Sequence, residues 1–189
     1  MSKSDVTRVL KGFCVLIGIV LPLIVWVVHN RAEHEKLNYQ MIGAVLDGDP
    51  RSVKDYLAQG ADANARLPEA NHRRGYTEYG KQMLRVGRRS EGRGISALMA
   101  AALIRDVPTM RILLDAGANP NALDEDGYTP ILWAASRQAL GSAPAIQLLT
   151  ERGADVKVKA NDGTTAWRLV GRDPAALRAL NAAAGLHIK

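Results

Sequence analysis

The sequence predicts an all-α chain in which one N-terminal transmembrane helix precedes a helical repeat solenoid of about four units. Three observations predict it. Gly-Ala followed by Asp or Asn recurs at Gly60-Ala61-Asp62, Gly117-Ala118-Asn119 and Gly153-Ala154-Asp155. A turn glycine just before Ser or Thr recurs at Gly94, Gly127 and Gly163, spaced by 33 and 36 residues, and Gly117 to Gly153 is again 36. A fixed period of this length marks stacked supersecondary units, each too small to bury its own apolar face. Ahead of the repeats, Gly12 to Val28 carries no charge for 17 residues, about the shortest run with which a helix crosses a hydrocarbon core roughly 30 Å thick.

The chain begins with a basic tail, 1–11, holding Lys3, Arg8 and Lys11. The span, 12–28, contains Pro22, which membrane helices tolerate, and Trp26 near its far end, where an indole suits the interface. A cleaved secretory signal is the competing reading. Against it, His29-Asn30-Arg31-Ala32-Glu33-His34-Glu35 offers no paired small residues at cleavage spacing. Phe13 before Cys14 argues against a lipoprotein signal, and a single cysteine allows no internal disulfide. Residues 29–36 form a short polar juxtamembrane linker. Its Arg31 and Lys36, set against the three basic residues before the span, favour a cytoplasmic N-terminus by one charge. The expectation is a single-pass membrane protein whose repeat domain lies on the periplasmic or another extracytoplasmic side. Frequent Ala and Arg with sparse Lys point to a GC-rich bacterial genome.

The repeat domain, 37–189, divides into units of about 37–64, 91–123, 124–159 and 160–189. In the first, Tyr39, Met41, Ile42, Val45 and Leu46 have helical spacing. Gly48-Asp49-Pro50 then turns the chain into a helix over Arg51–Gln59 with Val53, Tyr56 and Leu57 facing inward. In the second, small residues from Ala97 to Ala102 let one helix approach its neighbour, and Thr109–Ala116 supplies Ile112, Leu113 and Leu114. The third repeats this from Gly127, where Thr129-Pro130 predicts a hydroxyl-capped helix with proline at its first position. Trp133, Trp167 and Met99 are expected in the core. Three extra residues enter the inter-helix loop around 138–142, and the fourth unit, with Pro174–Ala184, is a degenerate end cap.

Gly127-Tyr128-Thr129-Pro130-Ile131-Leu132 and Ile112-Leu113-Leu114-Asp115-Ala116-Gly117-Ala118-Asn119 resemble the ankyrin repeat, and the likeness covers roughly 37–189. It departs from the family pattern where Leu132 replaces the usual His, which normally hydrogen-bonds between units, and where Ala97 and Ala166 replace Pro. The resemblance implies a turn plus two antiparallel helices per unit, with hairpins projecting as a row of fingers that bind partner proteins. It places partner contacts on Arg93, Ile95, Glu125, Asp126, Tyr128, Ser136, Arg137, Asn161, Asp162 and Thr164. For a small anchored member of a bacterial envelope it further implies a partner-binding role, with an immunity protein against an incoming toxin as its sharpest form.

Gly60 to Gly117 spans 57 residues, so the connection between the first and second units holds an insertion over about 65–93. Its eight basic residues, among them Arg85, Arg88, Arg89 and Arg93, face three glutamates, for a net charge of +5. Tyr76, Tyr79 and Met83 among these arginines have the composition of a binding hot spot. The bland reading is a solvated loop punctuated by glycines. The alternative to the envelope binder is a cytoplasm-facing scaffold whose basic insertion holds anionic lipid or an acidic partner.

Catalytic signatures are absent. There is no nucleophile elbow, phosphate loop, dinucleotide fingerprint or zinc-binding His pair, so no enzyme activity, cofactor, metal, nucleic acid or small-molecule substrate is expected. Asp124-Glu125-Asp126-Gly127 lacks the remaining oxygen ligands of a calcium loop. Carboxylate pairs fall only on turns read as exposed, where solvation is expected to leave them unperturbed.

Overall fold

Eight helices order the described part of the chain. The computed structural model describes the backbone of residues 3–67, 94–136 and 141–186, and in the first stretch the side chains of 20, 22–27 and 29–67. The helices are α1 (Lys3–Asp47), α2 (Pro50–Ala58), α3 (Ala97–Ile104), α4 (Val107–Asp115), α5 (Pro130–Ala135), α6 (Ala143–Glu151), α7 (Ala166–Val170) and α8 (Pro174–Ala183). Among the described residues there are no strands beyond two isolated bridges, Arg66 with Ser96 and Lys159 with Thr165. The chain forms two compact units, 1–36 and 37–189.

In the first unit the residues expected to form a linker, 29–36, are helical within α1, and Arg31 pairs with Glu35 and Lys36 with Glu33 on its exposed surface. Among the described residues no helix is long and apolar enough to cross a membrane. Of the expected span, 12–28, the side chains of 12–19, 21 and 28 lie outside the described residues.

In the second unit the helices stand in two rows. The first helices stack as α3, α5 and α7, and the second helices as α2, α4, α6 and α8. Small side chains explain the close first row: Ala97, Ala100, Ala101, Ala102, Ala134 and Ala135 are all at most 1% exposed. Met41, Ile42, Val45 and Leu46 at the end of α1 join the same core as Leu113, Ile131, Leu149 and Leu180. Trp133 and Met99 are buried as expected. Trp167 is only half-buried. Its indole N–H reaches Asn181 Oδ1 at 3.0 Å on α8, so the last unit covers a polar edge rather than a deep core.

Helix starts are set by short polar side chains. Asp49, Asp106 and Asp173 each accept N–H bonds from the first turn of α2, α4 and α8, with proline at one of the first two positions. Ser96 Oγ accepts from the Met99 N–H at 3.2 Å to start α3. The hydroxyl cap expected at Thr129 is absent: α5 begins at Pro130, but Thr129 Oγ1 is buried and makes no hydrogen bond. The Leu132 N–H, the ordinary donor to such a cap, does not bond it, and the Leu132 side chain has no polar atom.

Between units the fold is held by an asparagine ladder. Asn64 Oδ1 accepts from the Asn119 N–H at 2.8 Å while its Nδ2 donates to the Gly117 carbonyl at 3.2 Å. One unit along, Asn121 repeats both bonds with Asp155 N–H at 2.8 Å and the Gly153 carbonyl at 2.9 Å. Asn38 on α1 opens the series by accepting from the Asp62 N–H at 2.7 Å. The position equivalent to Asn64 and Asn121 is Lys157, where the ladder stops.

Each ladder amide makes two hydrogen bonds worth roughly 0.5–1.5 kcal/mol apiece, and its exposure places it at the low end. Asn121→Ala is therefore expected to lower unfolding free energy by about 1–2 kcal/mol in urea denaturation. Lys157→Ala, at the joint where the amide is missing, should stay within about 0.5 kcal/mol of the parent. Equal effects at the two positions would remove the ladder from the account.

Candidate protein-interaction surface

Three hairpins join the units, and their leading segments alternate between inside and outside. Ala61, Ala63, Ala65 and Leu67 are buried, while Asp62, Asn64 and Arg66 are exposed. Period-two alternation is the mark of an extended segment with one covered face. Each hairpin base closes on a backbone bond at the same register: Leu67 N–H to Ile95 at 2.7 Å, Asp124 N–H to Tyr128 at 3.0 Å, and Ala160 N–H to Thr164 at 3.0 Å. The first finger thus has a closed base on either side of the insertion. Arg66 reinforces it, its Nη1 donating to the carbonyls of Gly94 and Leu123.

Neighbouring fingers are tied at their tips. The Asn161 N–H donates to the Asp126 carbonyl at 3.0 Å and its Nδ2 to the Glu125 carbonyl at 3.2 Å. Gly127 lies under this contact with φ +76°, and a Cβ there would stand 2.6 Å from Asn161 Oδ1. A side chain is excluded twice, by backbone conformation and by space.

Beneath the second finger, Asp124 organises a buried polar knot. Oδ1 accepts from the Asp126 N–H at 3.0 Å and the Tyr128 N–H at 2.8 Å, and Oδ2 from the Trp133 indole N–H at 2.8 Å. The Tyr128 and Trp133 rings pack with centroids 5.9 Å apart. Asp124 is only 7% exposed. Loss of solvation pushes its carboxyl above the ordinary carboxylate value, only partly offset by the bonds from Tyr128, Trp133 and Asp126. The expectation that all carboxylates on this turn are solvated and unperturbed is therefore wrong for Asp124. At Asp173 burial works the same way, but the N–H groups of Ala176, Ala175 and Gly141 and the charge of Arg105 outweigh it, and that carboxyl is held below the usual value.

The structure brings Glu125, Asp126, Tyr128, Asn161 and Asp162 together on two adjacent fingers. Glu125 and Asp162 are exposed, while Asp126 and Tyr128 are half-buried. Asn161 is spent on holding its neighbour. Ile95 and Thr164, at 1% and 2% exposure, are buried and cannot touch a partner. Ser136 is half-buried, its hydroxyl donating to the Trp133 carbonyl. Arg85, Arg88, Arg89 and Arg93, the insertion residues 68–93 and Arg137 lie outside the described residues. Among the described residues no group of His, Cys, Asp and Glu side chains could hold a metal ion. Sequence reasoning missed Asn64 and Asn121, although both stand four residues after a recurring Gly-Ala glycine.

A family model described as ankyrin repeats (3 copies) matches residues 41–160. An ankyrin repeat-containing protein of Schizosaccharomyces pombe is 46% identical over 52 residues, 28% of this chain and 24% of that protein. The neurogenic locus Notch protein of Drosophila melanogaster is 29% identical over 126 residues, 67% of this chain and 4% of its own. The E3 ubiquitin-protein ligase KEG of Arabidopsis thaliana is 32% identical over 76 residues, 40% of this chain and 4% of its own. The chain thus spans no more than about a quarter of each of these relatives.

Two outcomes follow from the geometry. Gly163 shares the φ of +76° with Gly127, but a Cβ added to it would meet nothing within 4 Å, so Gly163→Ala should cost only the left-handed backbone penalty of about 1–2 kcal/mol. Gly127→Ala should cost clearly more in the same denaturation assay; equal costs would mean the tips are not in close contact. A carboxyl with a raised folded pKa contributes stability at low pH that is lost as pH rises through the folded value. The stability advantage of the parent over Asp124→Asn should therefore shrink as pH climbs above the unfolded value of 3.8, then level off. An advantage that grows with pH would contradict the assignment.

Proposed function

The chain belongs to the ankyrin-repeat family, whose repeats are protein–protein interaction modules, and from that premise we propose that it is a membrane-anchored binder of another protein. The observation that carries the binding role is the row of closed, in-register fingers, with Glu125, Asp126 and Asp162 on adjacent tips beside Tyr128. Tying the tips together before a partner arrives lowers the ordering cost of association. The basic insertion, 65–93 with Arg85, Arg88, Arg89 and Arg93, adds the opposite charge one finger away, so the partner carries both acidic and basic ground.

Membrane anchoring is supported by the uncharged run 12–28 and by the described side chains within it. Leu23, Ile24, Val25, Trp26 and Val27 are between 49% and 62% exposed, a contiguous apolar surface that calls for cover. A bilayer supplies it. The excess of one basic residue ahead of the run supports an extracytoplasmic repeat domain, which makes an envelope protein, or a toxin crossing the envelope, the partner class.

A reporter active only outside the cytoplasm, fused after Lys189, should give signal, and one fluorescent only inside should not. The reverse would move the search to cytoplasmic partners and anionic lipid. In the same cells, a photocrosslinking residue at Asp126 or Asp162 should yield a protein adduct, while one at exposed Arg178 on α8 should not. Adducts from all three alike would sink the finger surface as the binding face.

A further inference from the structure

The knot beneath the second finger sets one acceptor-only group against three donors. Asp124 Oδ1 holds the backbone N–H groups of Asp126 and Tyr128, and Oδ2 holds the Trp133 indole N–H. An ionised carboxylate only accepts, and an indole only donates. A proton added to the carboxyl turns one of its oxygens into a donor. Oδ2 is the oxygen that gives up less, since it breaks one bond where Oδ1 would break two. The indole N–H then faces an O–H, donor against donor, and among the described residues it has no second acceptor. Trp133 is 4% exposed, so water does not replace the lost bond in place.

From this geometry we propose that Asp124 is a proton-operated latch on the finger surface: protonation swings the Trp133 indole off Oδ2 and shifts the Tyr128 ring that packs on it. The two rings lie 5.9 Å apart, and Tyr128 is half-buried beside the tip. The finger backbone stays closed, because the Asp124 N–H reaches the Tyr128 carbonyl and the Gly127 N–H the Asp124 carbonyl whatever the charge of the side chain. The latch therefore changes a side-chain surface and not the fold.

Burial moves the change to a pH above the ordinary carboxylate value, and the negative charge of Asp126 acts in the same direction. Among the described residues, the other charged side chains around the knot are Glu125 on the same finger, Arg66, whose Nη1 reaches the Leu123 carbonyl, and Lys159 and Asp162 on the third finger. The helices α3 and α5 carry none. The latch stands on the knot alone. That it governs a partner rests on the finger surface being the binding face.

The test uses no partner. The isotope-labelled full chain in zwitterionic detergent is titrated from neutral to acid pH while its indole and aromatic ring signals are followed. Trp167 is an internal control, because its indole N–H rests on the uncharged Asn181 amide at 3.0 Å. The Trp133 indole signal, identified by its loss in Trp133→Phe, is expected to shift with a midpoint above 3.8 while that of Trp167 holds still. Asp124→Asn should leave a Trp133 signal that does not move with pH. In Trp133→Phe the acid-induced shift of the Tyr128 ring signals should shrink several-fold, a second check that does not require the Asp124 variant to fold. A Trp133 signal that holds still, one that moves only together with Trp167, one that still titrates in Asp124→Asn, or an undiminished Tyr128 shift in Trp133→Phe would each overturn the latch. The expected titration with no crosslink from Asp126 or Asp162 would uphold the latch and sink the binding-face reading alone.

Discussion

The repeat unit depends on one side-chain geometry, an amide that accepts an N–H and donates to a carbonyl of the next joint. Among the described residues, Asn64 and Asn121 do both. Asparagine suits the position because its side chain is as short as the gap and carries both donor and acceptor, whereas Asp could only accept and Lys could only donate. The apolar contacts between helices are non-directional. The ladder supplies direction: it sets how far each joint is translated from the last, and therefore the register in which the fingers emerge.

The same chemistry sets the fourth unit apart. Lys157 occupies the ladder position of the third joint and offers no acceptor, so the fourth unit is held without the amide bonds that tie in the units before it. That unit behaves accordingly. α7 has five residues, Trp167 is half-buried, and the outward positions of α8 are exposed, as an end cap requires. At the other end Asn38 makes only the accepting half of the pair, to Asp62.

Much of this was legible in the chain. The glycine spacings alone define the period, and Gly-Ala-Asp/Asn marks where each second helix stops. The ladder could have been read from the asparagines four residues beyond Gly60 and Gly117, but one amide in a loop looks like turn chemistry until its partner in the next unit is known. Asp124 was illegible for a different reason. In sequence it is one acid among three beside a glycine, and only the fold brings Trp133, nine residues on, over its second oxygen. Thr129 shows the converse: Thr-Pro is a sound local cap signal, yet in the fold the hydroxyl is buried without a hydrogen bond.

The finger row has few positions that tolerate change. The inward residues of each leading segment are buried or half-buried. Of the outward ones, Asp62, Asn119 and Asp155 accept the N–H two residues on, and Asn64 and Asn121 are committed to the ladder. At the tips, Asn161 holds the next finger, Gly127 admits no side chain, and Asp124 is consumed by the knot beneath. Substitution at any of these changes stability before it changes binding. What is left are the third outward positions of the second and third segments, Leu123 and Lys159. Surface changes there fall within about 0.5 kcal/mol of neutral for folding. A stack built on strict joints can therefore change its partner at these few residues while its architecture stays as it is.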